Sequence, residues 1–219
     1  MSEALGQVPS TSPNRSAVAE LFGRRRLLLI LGILIVELAI FAFGLLTPLS
    51  SPVQQNLLNQ TNNQFGSVPT ATPTQLVALI FTHNVVIGLV EMIPVLGALL
   101  FVYSIYVTGL VAQVIAVSAG YPSQFGVILF AFPYSIVELS AYAIAVGAGM
   151  MLLVSLRKKR LRRELKVFVL EMVAVVVVLL AAALMETATR FSPLVGFSLW
   201  IPTGLAAAGV VIYSRGRQA

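Results

Sequence analysis

LLLILGILIVELAIFAFGLL (Leu27–Leu46) opens a stretch that runs to Leu156 without a lysine or an arginine. Across residues 27–156 the acid–base groups other than tyrosine are Glu37, His83, Glu91 and Glu138. A water-soluble domain of that length needs a charged surface. A chain that lacks one over so long a run has lipid as its neighbour. The whole sequence agrees: 58% of its 219 residues are hydrophobic, 10% are charged, and the mean hydropathy is +0.94. This is the composition of a polytopic membrane protein. The net charge of +6 is not a nucleic-acid signature here. Its basic residues flank apolar segments, where they set topology and meet anionic headgroups.

Working outward, residues 1–23 are polar and rich in Ser, Pro and Ala, and Arg24, Arg25 and Arg26 precede the first apolar segment. Residues 1–26 therefore read as a cytoplasmic tail by the positive-inside rule. The apolar run begins too late, and lacks a clear small-residue cleavage site, to be a signal peptide. Residues 47–74 carry no charge and read as an external loop, within which Asn59-Gln60-Thr61 fits the glycosylation sequon at Asn59. Residues 75–119 form one apolar block. As a single helix at about 1.5 Å per residue it would be about 67 Å long, against a hydrocarbon core of about 30 Å. It must be two spans, broken at Pro94, because proline cannot continue the preceding ladder. A further span over 126–155 is interrupted by Pro133. The basic loop 156–166 follows, holding Arg157, Lys158, Lys159, Arg160, Arg162 and Arg163. These six are available to anionic lipid, although topology alone also accounts for them.

Parity closes the layout. Spans at about 27–46, 75–94, 97–119, 126–155, 167–187 and 194–213 leave both termini cytoplasmic, with a short tail at 214–219. All but Arg190 of the 14 lysines and arginines then lie on one side. The reading is an all-α, polytopic transmembrane bundle of about six spans, with proline-broken helices near Pro94 and Pro133.

Polar groups inside spans cost about 2.5–3.5 kcal/mol each when charged at mid-helix, so each needs a reason. On the second span Asn84, Gly88 and Glu91 follow i, i+4, i+7 and share a face, with His83 bordering it. On the fourth, Tyr134, Glu138 and Tyr142 follow i, i+4, i+8, and Ala141, Ala145 and Gly149 form a small-residue stripe suited to close contact. Two readings stand: a polar track for protons, ions or a headgroup, or interhelical hydrogen bonds that fix packing. Glu37, Glu91 and Glu138 sit in similar Val-Glu strings, which read either as a degenerate internal repeat or, more simply in a chain so rich in Val, Leu and Ile, as coincidence. Glu171 reads as reaching the interface near Lys166, Glu186 as pairing with Arg190, and Trp200 as a packing or lipid contact.

The absent motifs also restrict function. No phosphate-binding G-x-x-x-x-G-K-[ST] loop is present. There is no cysteine and no aspartate, so thiol catalysis and a Ser–His–Asp set are excluded. One histidine and scattered glutamates give no metal-ligand spacing.

The segment Phe81-Thr82-His83-Asn84, followed by Pro94, Gly97 and Gly109, and then Pro133-Tyr134-Ser135-Ile136-Val137-Glu138-Leu139-Ser140-Ala141 and Gly147, resembles the stage II sporulation protein M family over residues 75–155. That family has an asparagine in an early core helix, and a proline followed by a glutamate in a later one. Asn84, Pro133 and Glu138 match those positions. Many members have histidine directly after the proline, where this chain has Tyr134, so a mechanism resting on that histidine does not carry over. The resemblance implies an integral membrane protein with no catalytic activity and no cofactor. In spore-forming bacteria the family looks like a membrane scaffold for cell-wall-degrading partners. Its relatives extend to organisms that do not sporulate, archaea included.

The expected role is thus a non-catalytic scaffold or subunit of a larger assembly in the cell membrane. Its expected partners are lipids, other membrane proteins and homo- or hetero-oligomers, not nucleic acid. The alternative is a transporter or channel for a lipid-like or small polar substrate, using Asn84, Glu91 and Glu138.

Overall fold

A computed structural model describes residues 20–65, 71–158 and 161–216. Among these residues there are eight α-helices and no strand. In chain order they are α1 (Arg24–Leu46), α2 (Ser51–Phe65), α3 (Pro73–Glu91), α4 (Leu96–Ser118), α5 (Pro133–Arg157), α6 (Leu161–Phe191), α7 (Pro193–Ser198) and α8 (Trp200–Gly216). Helices α1, α3, α4, α5 and α6, and α7 with α8 together, give six segments long and apolar enough to cross a bilayer. The chain is an integral membrane protein. Its outer surface is apolar, with Phe43, Leu99 and Ile201 each exposed by about two thirds, while Glu37, Asn84, Glu91 and Gln113 are buried. That inversion suits a bundle solvated by lipid rather than water.

Local chemistry sets the helix ends. Thr72 and Gln75 form a capping box at the start of α3, and Pro73 occupies the first turn, where its missing N–H is not needed. Helix α3 stops at Glu91, just before Pro94, as the break at that proline requires. The connection to α4 is very tight. Val95 adopts φ 68°, and the Leu96 N–H bonds the Pro94 carbonyl at 2.9 Å, which is a γ-turn of the strained hand. A Cβ at Gly97 would run into the Glu91 carbonyl, so the turn needs glycine there.

Two expectations are corrected. The fourth span does not begin at residue 126. Ser123–Ala131 forms a 3-10 segment, and α5 begins at Pro133. Proline is placed at a helix start instead of inside a helix because it cannot donate to the preceding turn. At about 2.0 Å per residue the 3-10 segment is also too short to cross the core. The stretch 47–74 is not simply a loop, because it contains α2. Its proline and asparagines fit a helix: Pro52 falls in the first turn, and Gln60 donates to Asn56 one turn back at 3.2 Å.

Helix α5 is the hub. It packs on α1, α3, α4 and α6, and Leu139, Ala141, Tyr142, Ala143, Ala145, Val146 and Ala148 are all buried. Its small residues permit close approach, and Gly149 faces the Met92 carbonyl at 2.7 Å from where a Cβ would stand. Helices α1 and α4 cross at Gly44 and Gly109, where a Cβ on either would strike the other helix's backbone. Gln113 on α4 donates to the carbonyls of Leu45 and Thr47, both at 3.0 Å. It thereby satisfies groups that the end of α1 leaves free.

Candidate functional site

The site is built from one face of each of three helices. On α1 the buried positions include Arg26, Ile33, Glu37, Phe41 and Gly44. Phe41 meets Phe130 in an edge contact at 4.9 Å, while Ile33 packs where Gly147 lacks a side chain. Helix α1 therefore runs antiparallel to α5, and Glu37 points into the middle of the bundle. It is fully buried, and neither carboxyl oxygen has a hydrogen-bond partner.

Helix α3 contributes Asn84, Gly88 and Glu91, all buried, as the i, i+4, i+7 spacing requires. A Cβ at Gly88 would lie 3.1 Å from Leu179, 3.2 Å from Val175 and 3.8 Å from the Tyr142 ring. The missing side chain lets α5 and α6 close on α3 at this level. Glu91 reaches up from the turn, and one carboxyl oxygen accepts from the Ser104 hydroxyl on α4 at 2.9 Å. Its other oxygen is buried without a partner. On α5 the Tyr142 hydroxyl donates to Glu138 Oε1 at 3.1 Å, and the Asn84 side chain is a second hydrogen-bond partner of Glu138.

The carboxyls sense one another. Glu37 lies within electrostatic reach of both Glu91 and Glu138, and Tyr142 within reach of all three. The ion pairs among the described residues lie elsewhere: Arg26 with Glu164 and Glu171, Arg163 with Glu20, and Arg190 with Glu186. The interior therefore buries Glu37 and Glu91 beside a half-buried Glu138, with no cation paired to them among the described residues. No group of three or more His, Cys, Asp or Glu side chains there could hold a metal ion.

The other expected site residues fall into place around this cluster. His83 does not join it. It lies on the exposed face of α3, because consecutive helical residues point about 100° apart and Asn84 takes the inward direction. Tyr134 is half-buried near the start of α5, stacked on Phe132 and within electrostatic reach of Glu138, Glu186 and Arg190. Pro133 is buried at the head of α5, and Pro94 lies in the α3–α4 turn. Arg157, Lys158, Arg162 and Arg163 are exposed. Lys159 and Arg160 fall outside the described residues. Asn59 is exposed on α2, and the Thr61 hydroxyl donates to the Leu57 carbonyl at 2.9 Å. Glu186 bonds Arg190 at 2.6 Å, as its spacing implies. Trp200 donates to the Ala131 carbonyl at 3.0 Å, tying the head of α8 to the 3-10 segment.

Sequence reasoning left Glu37 and Ser104 out of the site. A signal for Glu37 existed. Arg26, Glu37 and Gly44 are eleven and seven residues apart, which at about 100° per residue puts them within about 20° of one face. Glu171 was also misread. It is buried against Arg26 of α1 instead of reaching the interface near Lys166.

No curated protein and no solved structure matches the chain. The family model for stage II sporulation protein M matches residues 27–189, which include every helix that contributes to the cluster and exclude α7 and α8. Over that span, far more than half of its length, the chain belongs to the stage II sporulation protein M family.

Proposed function

We propose that this chain is a non-catalytic scaffold or subunit of a larger assembly in the cell membrane, with both termini in the cytoplasm. The observation that carries this reading is α8. None of its residues is buried, and only 6% of the sixth segment's apolar window is enclosed by the rest of the chain. It is attached near its ends, by the Trp200 hydrogen bond and by an edge contact of Tyr213 with Phe22 at 5.1 Å.

Lipid is as apolar as leucine, so exposure alone gives no force for association. The composition of α8 adds the missing element. Gly204, Ala207 and Ala208 share one face, with nothing within 4 Å of a Cβ built at Gly204. Small residues four apart let helix backbones approach closely, and among the described residues no other helix packs on this face. The face suits a membrane-embedded helix of a partner or of a second copy. The basic loop after α5 gives the same assembly an anionic-lipid contact.

The absence of cysteine makes the test clean. Ala208→Cys, cross-linked in native membranes, should give one discrete adduct. Ala206→Cys, on the opposite side of α8, should give none. An adduct at twice the chain's mass identifies a second copy, and another mass identifies a different subunit. Absence of any adduct from Ala208→Cys sinks the reading.

A further inference from the structure

We propose that α8 and the bundle hold one anionic phospholipid between them, with its headgroup on Arg24, Arg25 and Arg215. This goes beyond the assembly role and does not depend on it.

Helix α8 is fastened at its two ends and open between them. At one end the Trp200 indole donates to the Ala131 carbonyl at 3.0 Å. At the other the Tyr213 ring meets Phe22 edge-on at 5.1 Å. From residue 200 to residue 213 the helix runs about 20 Å. That is more than the half of a hydrocarbon core, about 15 Å, that one leaflet supplies. Exposure marks the side turned to the bundle. Thr203 and Ser214 are partly covered and lie within about 20° of each other around the helix. Val210 shares that side and is 38% exposed, against 69% for Leu205 and 70% for Ile212 on the opposite side. No residue of α8 is buried, so its middle stands off the bundle and leaves an apolar slot. Gly204 and Ala208 lie about 100° or more around the helix from Thr203, so a partner helix on their face does not compete for the slot.

The mouth of the slot is cationic. The Phe22–Tyr213 contact brings the head of α1 beside the last turn of α8, so Arg24 and Arg25 gather near Arg215. All three are exposed, and none has an ion-pair partner among the described residues. The acids described at this end are taken: Glu20 pairs with Arg163, and Glu164 and Glu171 pair with Arg26. The ammonium of a zwitterionic headgroup therefore finds no free carboxylate there. A phosphate meets three guanidinium groups, whose forked donors match its oxygens. Basic residues at a membrane edge follow from topology alone. The slot beneath these three adds what topology does not require, a place on the protein for the acyl chains.

The test is native mass spectrometry of the full chain in detergent, titrated with dioleoyl phosphatidylglycerol or dioleoyl phosphatidylcholine. One phosphatidylglycerol per chain should bind about tenfold or more tightly than phosphatidylcholine. Replacing Arg24, Arg25 and Arg215 together by alanine should abolish that preference. All three are exposed, so the fold should survive the change. Arg157→Ala with Lys158→Ala, in the loop after α5, should keep the one tight lipid and lose only weaker ones. Val210→Trp fills the slot without altering charge and should weaken phosphatidylglycerol binding by about tenfold. Equal binding of the two lipids overturns the proposal. So does a preference that survives the triple replacement, a tight lipid lost from the loop variant, or unchanged binding in Val210→Trp. The Ala208→Cys adduct should persist in the triple-alanine background, so failure of the lipid site and failure of the assembly role are read separately.

Discussion

Arg26 shows how much one side chain can decide in this bundle. It is 4% exposed and bonds Glu171 and Glu164 of α6. Removing one partner of a buried pair leaves the other uncompensated. Arg26→Ala should therefore cost about 3–5 kcal/mol, and Glu171→Ala a comparable amount. Arg25→Ala, one residue away and exposed, should change stability by no more than about 0.5 kcal/mol. Thermal unfolding in detergent checks the contrast, and equal losses for Arg25 and Arg26 would refute the buried network. The network was not legible in the sequence, because Arg26 and Glu171 are 145 residues apart and only packing brings them together. Asn84 and Glu91 were legible, since their helical spacing and the small Gly88 between them mark one face without reference to other helices.

At the scale of elements, the α3–α4 turn fixes where Glu91 starts. Val95 holds a positive φ that branched residues avoid. Val95→Gly should relieve that strain and stabilise the protein by about 1 kcal/mol, read as a higher unfolding temperature. Gly97→Ala should do the reverse, because its methyl meets the Glu91 carbonyl. A stabilising Gly97→Ala would show that the turn is looser than described. The break at Pro94 was legible because proline has one physical meaning within a helix. The start of α5 was not. Apolar sequence on both sides of Pro133 hides the change from 3-10 segment to helix, and no local pattern reveals that Gly126 packs where a Cβ would strike Leu45 and Ala112. Helix α2 was missed for a related reason. Its few apolar residues, Val53, Leu57, Leu58 and Phe65, are set among uncharged polar ones and prolines, so the stretch reads as a loop.

For the whole molecule, long apolar runs and the basic flanks made six spans legible, because lipid imposes length and charge rules that local sequence obeys directly. In the orientation proposed above, α2 faces the outside of the cell. A cysteine at Gln60, exposed on α2, should be labelled by an impermeant thiol reagent in intact cells, and protection there would overturn the orientation. What the apolar runs conceal is which face of each helix turns inward, and the cluster depends on that. The central claim is that α1 presents Glu37 to the interior beside α5. A short bifunctional thiol cross-linker tests it most directly. The Ile33→Cys and Gly147→Cys pair should cross-link efficiently in membranes, because the Ile33 side chain lies 3.5 Å from the Cβ position of Gly147. The Ile35→Cys and Gly147→Cys pair, with residue 35 on the exposed face, should not. Cross-linking through residue 35 and not residue 33 would turn Glu37 away from the interior and contradict the account.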